Sequence, residues 1–185
     1  MLALASVMLL AGSALAAPAA VDARSTQPSC SDRATTVDQW SVKNFDFHAS
    51  YTFSTPAHQN SQGYVYFTLE NEALDFKTSC TGVSGQLQDF FYGQIVYNCT
   101  APVGGNEASF TFSRPSNELK LTQTWTCADE GSRFWAQGAA NLTLKCDDKT
   151  WTNPDWKMGQ IYSSRTVSCD LVDATVPITS KQAVA

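Results

Sequence analysis

The feature that most constrains the fold of this 185-residue chain is the ten-residue stretch 118–127, ELKLTQTWTC. Its odd positions are apolar except for Gln123, and its even positions are charged or threonine. Successive side chains of a β-strand point to opposite faces, so this pattern predicts a strand with one buried and one solvated face. Residues 108–113 alternate in the same way, and the intervening RPSN is typical of a turn. We therefore predict a β-hairpin whose inward side chains form one wall of a core, namely Phe110, Phe112, Leu119, Leu121 and Trp125.

Further short alternating segments continue this pattern, with strands expected near 39–47, 64–70, 76–80, 90–99, 134–146 and 166–178. In the first of them, Trp40 and Val42 have one parity and Phe45 and Phe47 the other, which predicts a bulge near Asn44. Loops are expected at 54–63, 81–88, 101–106, 128–132 and 147–165. No long helical pattern occurs. The sequence predicts an all-β, single-domain antiparallel β-barrel or compact β-sandwich of about 8–11 short strands.

The N-terminal residues indicate export from the cell. Residues 2–16 are apolar or small and end in Ala-Leu-Ala, the small-x-small pattern of a signal-peptidase site. A buried N-terminal helix is the alternative interpretation. We predict a signal peptide at 1–16, a flexible lead-in at 17–29, the folded domain at 30–178 and a flexible C-terminal tail at 179–185. The protein is expected to be secreted and extracellular.

The overall charge disfavours two classes of partner. The net charge is −5 and the isoelectric point about 4.8, with only 12 Lys and Arg residues and no basic run. Nucleic acids and anionic membranes attract the opposite charge. We expect no nucleic-acid binding and no membrane insertion.

Six cysteines in an exported chain predict three disulfides, which staple the fold. The sequence alone leaves fifteen pairings open. No Cys-x-x-Cys pair occurs, and the two histidines, His48 and His58, lie far from every cysteine in the sequence, so a zinc site is poorly supported.

Two Asn-x-Thr sequons predict N-glycosylation at Asn98 and Asn141. In each predicted strand the asparagine has the parity opposite to an inward cysteine, Cys99 or Cys146. Both asparagines are therefore expected to face water.

The sequence contains no convincing catalytic set. No Gly-x-Ser-x-Gly motif occurs, and a ribonuclease-like arrangement would need both histidines together with Glu70 and Arg114. Glu70 and Glu118 lie on outward parity, which favours a solvated surface over a pair of acids in a glycosidase cleft. We expect no enzymatic activity, no cofactor and no metal.

The segment 147–168 contains the most prominent candidates for recognition. Asp147 to Asp155 carries several oxygen ligands without the spacing of an EF-hand, so an acidic loop without calcium is favoured. Trp151, Trp156 and Tyr162 follow one another closely around Met158, and large aromatics on loops are often used for protein and sugar recognition. The alternative is that they fold back and close one end of the barrel. Two outward tyrosines on one strand form a second patch, Tyr64 and Tyr66.

Several of these motifs together resemble the Alternaria major-allergen family of secreted fungal β-barrels. They are Trp40-x-Val42 with Phe45 close behind, the Leu119-x-Leu121-x-Gln-x-Trp125 strand, and the cysteines Cys80, Cys99, Cys146 and Cys169, the last followed by Leu171. The resemblance extends from about Cys30 to Pro177. It implies a barrel-like antiparallel fold without firmly established catalysis, and relatives that include allergens and elicitors of plant cell death and defence. It also implies the disulfides Cys80–Cys99 and Cys146–Cys169.

The chain departs from that family in two places. In the founding allergen the N-terminal cysteine is thought to link two subunits, whereas here Cys127 is an additional cysteine with which Cys30 can close inside one chain. A monomer is therefore favoured over a dimer, with Cys30–Cys127 as the third disulfide. Residues 147–168 resemble an insertion.

Together these observations predict a secreted fungal, non-enzymatic protein of effector, elicitor or allergen type that binds a host or extracellular protein. Trp151, Trp156 and Tyr162 are the expected binding residues. The alternative is a protein that binds cell-wall polysaccharide through the same loop aromatics.

Overall fold

A computed structural model describes residues 28–85, 90–128 and 131–184 of the chain. The predicted signal peptide and most of the lead-in lie outside these residues. The described chain contains one short helix and ten strands: α1 (Cys30–Thr36), β1 (Gln39–Thr55), β2 (His58–Glu70), β3 (Lys77–Ser84), β4 (Tyr97–Thr100), β5 (Glu107–Ser113), β6 (Glu118–Cys127), β7 (Ser132–Asn141), β8 (Cys146–Thr152), β9 (Ser163–Cys169) and β10 (Val172–Val184). Among the described residues no helix is both long and apolar enough to span a membrane.

The strands form one antiparallel sheet that closes into a ring of eight, which confirms the predicted fold class. The order is β10-β7-β6-β5-β4-β3-β2-β1-β9-β8, and β10 also pairs with β1 to close the ring. The ring thus contains β1 to β7 and β10, while β9 and β8 continue the sheet outward from β1. At Gly138 a Cβ would overlap the carbonyl oxygen of Pro177, so the absence of a side chain lets β10 approach β7 at the closure.

The long strand β1 belongs to the closed ring and also pairs with β9 outside the ring. Its first part, 39–45, pairs with β10, and its second part, 48–53, pairs with β9. The change occurs at a bulge, where Asn44 has a φ of 53° and the register shifts between Val42 and Phe45. The predicted bulge is therefore present, and it brings Trp40, Val42, Phe45 and Phe47 all into the core.

Interlocking aromatic rings fill the barrel interior. Phe45 lies 5.1 Å from Phe112 and 5.8 Å from Phe67, and Phe67 lies 4.9 Å from Phe110, measured between ring centroids. Burial of each such side chain contributes roughly 1.5–3 kcal/mol. The predicted wall of Phe110, Phe112, Leu119, Leu121 and Trp125 is fully buried.

Gln123, the residue that breaks the alternation of β6, is buried for a structural reason. Its Oε1 accepts hydrogen bonds of 2.8 Å from the indole N–H of Trp40 and from Nδ2 of Asn71. A buried polar group is tolerated when such partners are present. Gln123 therefore joins β6 to β1 and to the turn after β2.

Helix α1 is capped at its own first turn and is held against the barrel by a disulfide and by a lysine. Its first turn has a capping box between Ser29 and Asp32. Cys30 is joined to Cys127 at the end of β6. The ammonium group of Lys181, on β10, donates to three carbonyl oxygens at the end of the helix, those of Ala34, Thr35 and Val37, at 2.7–2.9 Å.

Three predicted segment boundaries differ from the structure. The expected loop 54–63 is mostly strand, with only residues 56–57 in the turn between β1 and β2. The expected turn 81–88 is strand up to Ser84, and residues 86–89 lie outside the described part. The expected strand 90–99 is reduced to Tyr97–Thr100, because the left-handed backbone at Phe91 (φ 49°) and Gly93 (φ 89°) interrupts it.

The C-terminal half of the chain also contains more strand than predicted. The expected loop 147–165 contains most of β8 and the start of β9, which pair as a hairpin and leave 153–162 as their connection. Residues 179–184 of the expected tail are the second part of β10 and pair with β7. Neither β8 nor the end of β10 has a buried face, so the alternation that marks the buried strands is missing there.

Candidate functional site

The connection 153–162 projects from the end of the β8–β9 hairpin and is anchored by backbone hydrogen bonds. The N–H of Asn153 donates to the carbonyl oxygen of Tyr162 at 2.8 Å, and the N–H of Tyr162 donates to that of Phe53 on β1, also at 2.8 Å. The side chain of Asn153 accepts from the N–H of Asp155. We call residues 151–162 the hairpin tip.

Two of the three predicted binding residues make contacts within the tip. The indole N–H of Trp156 donates to the carbonyl oxygen of Gln160 at 2.9 Å, and its ring meets that of Tyr162 edge-on, with centroids 5.7 Å apart. Both side chains are half-buried. They give the tip its shape and do not enter the barrel core.

The third predicted residue, Trp151, is exposed on β8, with 52% of its surface accessible. Two further large apolar side chains in the tip are exposed as well, Met158 at 81% and Ile161 at 50%. Met158 was predicted only as a neighbour of the aromatic residues, and Ile161 was not predicted. The signal was present, because both are large apolar residues in an otherwise polar connection.

A charged pair on the other face of the hairpin fixes it to the barrel. The guanidinium of Arg165 (β9) binds the carboxylate of Asp148 (β8), and it lies over the ring of Tyr51 (β1), 5.5 Å from the ring centroid. The hydrogen bond from Arg165 lowers the pKa of Asp148. Burial raises the pKa of the Tyr51 hydroxyl. No sequence pattern indicated this cluster.

The acidic residues of the candidate metal loop are spread along the hairpin. Asp147 pairs with Lys149 at 3.3 Å, Asp148 binds Arg165, and the side chain of Asp155 is exposed at the tip. Within 28–85, 90–128 and 131–184 no three His, Cys, Asp or Glu side chains converge in a way that could hold a metal ion.

The structure does not bring the candidate catalytic residues together. His48 is opposite Tyr64, whereas His58 is at the start of β2 and Glu70 at its end. Along β2, His58 and Tyr64 are six residues apart, and so are Tyr64 and Glu70. At 3.3 Å per residue each of these separations is about 20 Å. Glu70 and Glu118 are paired with Lys77 and Lys120, respectively.

The sequence model of the Alternaria alternata allergen 1 family matches residues 42–169, more than half of the chain. The chain belongs to this family. The resemblance drawn from the sequence is thereby confirmed, and the protein is allergen-like. No curated protein and no solved structure matches the chain.

Within the allergen 1 family fold, the six cysteines form three disulfides, Cys30–Cys127, Cys80–Cys99 and Cys146–Cys169. These are the pairs expected above. Cys30 is closed inside the chain, so it has no free thiol with which to link a second subunit. Family membership and three disulfides are consistent with an extracellular protein.

The two sequons of this family member lie on its surface. Asn98 is exposed on β4 and Asn141 is exposed at the end of β7, as their parity predicts. Glycosylation of both asparagines stays a prediction.

Proposed function

We propose that this allergen 1 family member is a secreted, non-enzymatic protein of effector or elicitor type that binds a host or extracellular protein through its hairpin tip. The observation that carries the proposal is the simultaneous exposure of Trp151, Met158 and Ile161 in one twelve-residue segment, 151–162. Soluble proteins rarely expose such a group of large apolar side chains unless they mark an interaction site.

The composition of the tip favours a protein partner. Tryptophan and methionine are enriched at the centre of protein interfaces, and tryptophan is one of the commonest residues at positions that dominate the binding energy. Lys149 and Lys157 flank the apolar group and are exposed, so the patch has a polar rim. An apolar centre with a polar rim is the usual arrangement of such an interface.

The tip is also ordered before it binds. The Trp156–Gln160 and Tyr162–Phe53 hydrogen bonds hold the connection, and Arg165 holds the hairpin beneath it. A segment that is already ordered loses less conformational entropy on binding than a flexible loop does.

The proposal is tested first by an oxidative-burst assay on leaf tissue. Pure folded protein is infiltrated beside the same protein after reduction and alkylation. We expect a burst from the folded sample alone, because the tip depends on a hairpin closed by Cys146–Cys169. An equal burst from both samples, or none from either, would contradict recognition of a folded surface on plant cells.

The second candidate is a cell-wall protein that stacks Trp151 on a polysaccharide. It is favoured by the exposure of this one indole, whereas Trp156 is engaged within the tip. Retention of the protein on chitin, β-glucan or cellulose beads, and loss of retention in Trp151→Ala, would support it. Passage through all three bead types without retention would end it.

A further inference from the structure

A groove on the outer face of the sheet lies apart from the hairpin tip. It spans β3, β2, β1 and β9, has a volume of about 620 Å³, and is lined by His48, Tyr64, Tyr66, Val83, Thr166 and Ser168 among others. Its volume is within the range of roughly 300–1,000 Å³ that is common for small-ligand sites. No function assigned above uses this groove.

The groove is organised by the register of the sheet. Val83, Tyr64, His48 and Ser168 form one row across the four strands, since each is directly opposite the next. Thr81, Tyr66 and Asp46 form the neighbouring row. Tyr64 and Tyr66 are about 6.6 Å apart along β2 and present their rings to the same side.

Both tyrosine rings are available to a ligand, with 39% of Tyr64 and 41% of Tyr66 exposed. The imidazole of His48 stacks on Tyr64, with ring centroids 5.0 Å apart and an angle of 19° between the planes. This contact holds the Tyr64 ring in one orientation.

The carboxylate of Asp46 lies beside Tyr64 and His48. The hydroxyl of Tyr64 donates to Oδ2 of Asp46 at 3.3 Å, and Nε2 of His48 lies 2.9 Å from Oδ1 of Asp46. The side chain of Asp46 is only 20% exposed. Burial, followed by the charge of Asp46, raises the pKa of Tyr64, so its phenol remains a hydrogen-bond donor.

The remaining polar groups of the groove are hydroxyls and an amide, from Ser50, Gln62, Thr81, Thr166 and Ser168. In the described part of the chain its lining contains no lysine and no arginine. Nothing there would neutralise a phosphate, a sulfate or an acidic peptide. The lining fits a neutral ligand that has apolar faces bordered by hydroxyl groups.

We propose that this groove binds a neutral oligosaccharide, with neighbouring pyranose rings on Tyr64 and Tyr66 and sugar hydroxyls hydrogen-bonded to the serine and threonine hydroxyls of the lining. A pyranose has an apolar C–H face for the tyrosine rings and hydroxyls that both donate and accept, which match the side-chain hydroxyls and the amide of the groove. The site is separate from the hairpin tip, so the groove binds its sugar whether or not the tip binds a protein.

The test is a titration of the ¹⁵N-labelled protein with laminarihexaose, cellohexaose and chitohexaose, followed by NMR. We expect at least one of these sugars to cause saturable shifts of backbone amides in 46–50, 62–66, 81–83 and 166–168. The variant Tyr64→Ala/Tyr66→Ala should bind that sugar about tenfold or more weakly. Tyr92→Ala, which removes another exposed tyrosine outside the groove, and Trp151→Ala should bind it as the unchanged protein does.

A second variant tests the groove independently, in case Tyr64→Ala/Tyr66→Ala does not fold. Val83→Arg places a bulky side chain at a position that is 63% exposed on the rim of the groove, so it should block the sugar without disturbing the core. Absence of shifts with all three sugars would overturn the proposal. Shifts confined to 151–162, or unchanged binding by folded Val83→Arg and Tyr64→Ala/Tyr66→Ala, would overturn it as well.

Discussion

At the scale of single residues, Gln123 shows how one polar side chain connects distant parts of the barrel. Its oxygen accepts from Trp40 and Asn71, which lie 83 and 52 residues away in the sequence. All three residues are buried. Because the interior offers no water as a substitute, both donors depend on this one acceptor.

We predict that Gln123→Leu destabilises the protein strongly even though leucine suits the alternation of β6. The substitution leaves the Trp40 indole N–H and the Asn71 amide unpaired in the core, at a cost of about 1–3 kcal/mol each. Urea unfolding followed by tryptophan fluorescence measures the change. Gln137→Leu, at an exposed position on β7, is the control and should change the free energy of unfolding little.

A second example at the residue scale is Asp173, whose side chain stabilises the bulge of β1. Its carboxylate accepts from the backbone N–H of Asn44 at 2.9 Å and from Nζ of Lys43 at 3.0 Å. These two bonds, the one from Asn44 first, lower the pKa of Asp173 from its usual value of 3.8. The carboxylate thus stabilises the bulge only in its charged form.

We predict that the stabilisation from Asp173 depends on pH in a defined direction. A carboxyl whose pKa is lowered by folding contributes its full stability above the unfolded pKa, near 3.8, and loses it as the pH falls through the lower folded pKa. Asp173→Ala should therefore be less stable than the unchanged protein at neutral pH, and the two should converge in strong acid. Asp170→Ala, an exposed aspartate outside the bulge, serves as the control in denaturant titrations across this range. A difference that persists undiminished in strong acid would contradict the role of the charge.

At the scale of elements, the C-terminal strand does more than continue the sheet. Residues 180–184 pair with 133–137 of β7, and Lys181 binds the last carbonyls of α1. The strand therefore fastens the one described helix to the ring. A flexible tail would do neither.

We predict that truncation after Thr179 loosens β7 and α1 together. The deletion removes the β10 partners of residues 133–137 of β7 and the three hydrogen bonds of Lys181. Hydrogen exchange should speed up in 30–36 and 133–137 while β2 and β3 stay protected. Lys181→Met, which keeps the strand, should affect the helix alone. Unchanged exchange in both segments after truncation would show that the strand is dispensable.

The strands differ in how well they could be predicted from the sequence. Strands around the core were predicted well, because burial forces one face of 118–127 or 64–70 to be apolar. The bulge at Asn44 was predicted for the same reason, since the parity of the aromatic residues changes across it.

Strand β8, outside the closed ring, escaped prediction because burial does not constrain it. In β8, every residue after Cys146 is exposed, so Asp148, Thr150 and Trp151 follow no alternation. The aromatic residues of the tip could be predicted as binding candidates from their residue type. Which tryptophan is exposed could not be predicted, because the difference between Trp151 and Trp156 depends on a hydrogen bond of Trp156 within the connection. The groove beside Tyr64 depends on the register of four strands, which the sequence does not determine locally.

At the scale of the whole molecule, two of the three disulfides cross-link neighbouring strands, β3 to β4 and β8 to β9, and the third joins α1 to the end of β6. Cys80–Cys99 and Cys146–Cys169 close loops with sequence separations of 19 and 23, and Cys30–Cys127 one of 97. In the chain-entropy model the short loops contribute about 3 kcal/mol each and the long one about 4–5 kcal/mol. Cys30–Cys127 thus holds the helix to the barrel, Cys146–Cys169 closes the hairpin that carries the tip, and the pairing of β9 with β1 attaches that hairpin to the barrel.

The most direct test of the proposed function compares two double variants in the leaf oxidative-burst assay, over a range of protein concentrations. Trp151→Ala/Met158→Ala removes most of the exposed apolar surface of the tip. Tyr92→Ala/Val96→Ala removes two comparably exposed side chains between β3 and β4 and is the matched control. Circular dichroism and the thermal midpoint establish that both variants are folded. We predict that the tip variant needs at least about tenfold more protein for a half-maximal burst, whereas the control responds as the unchanged protein does. Equal potency of the folded tip variant and the control would contradict recognition through the tip.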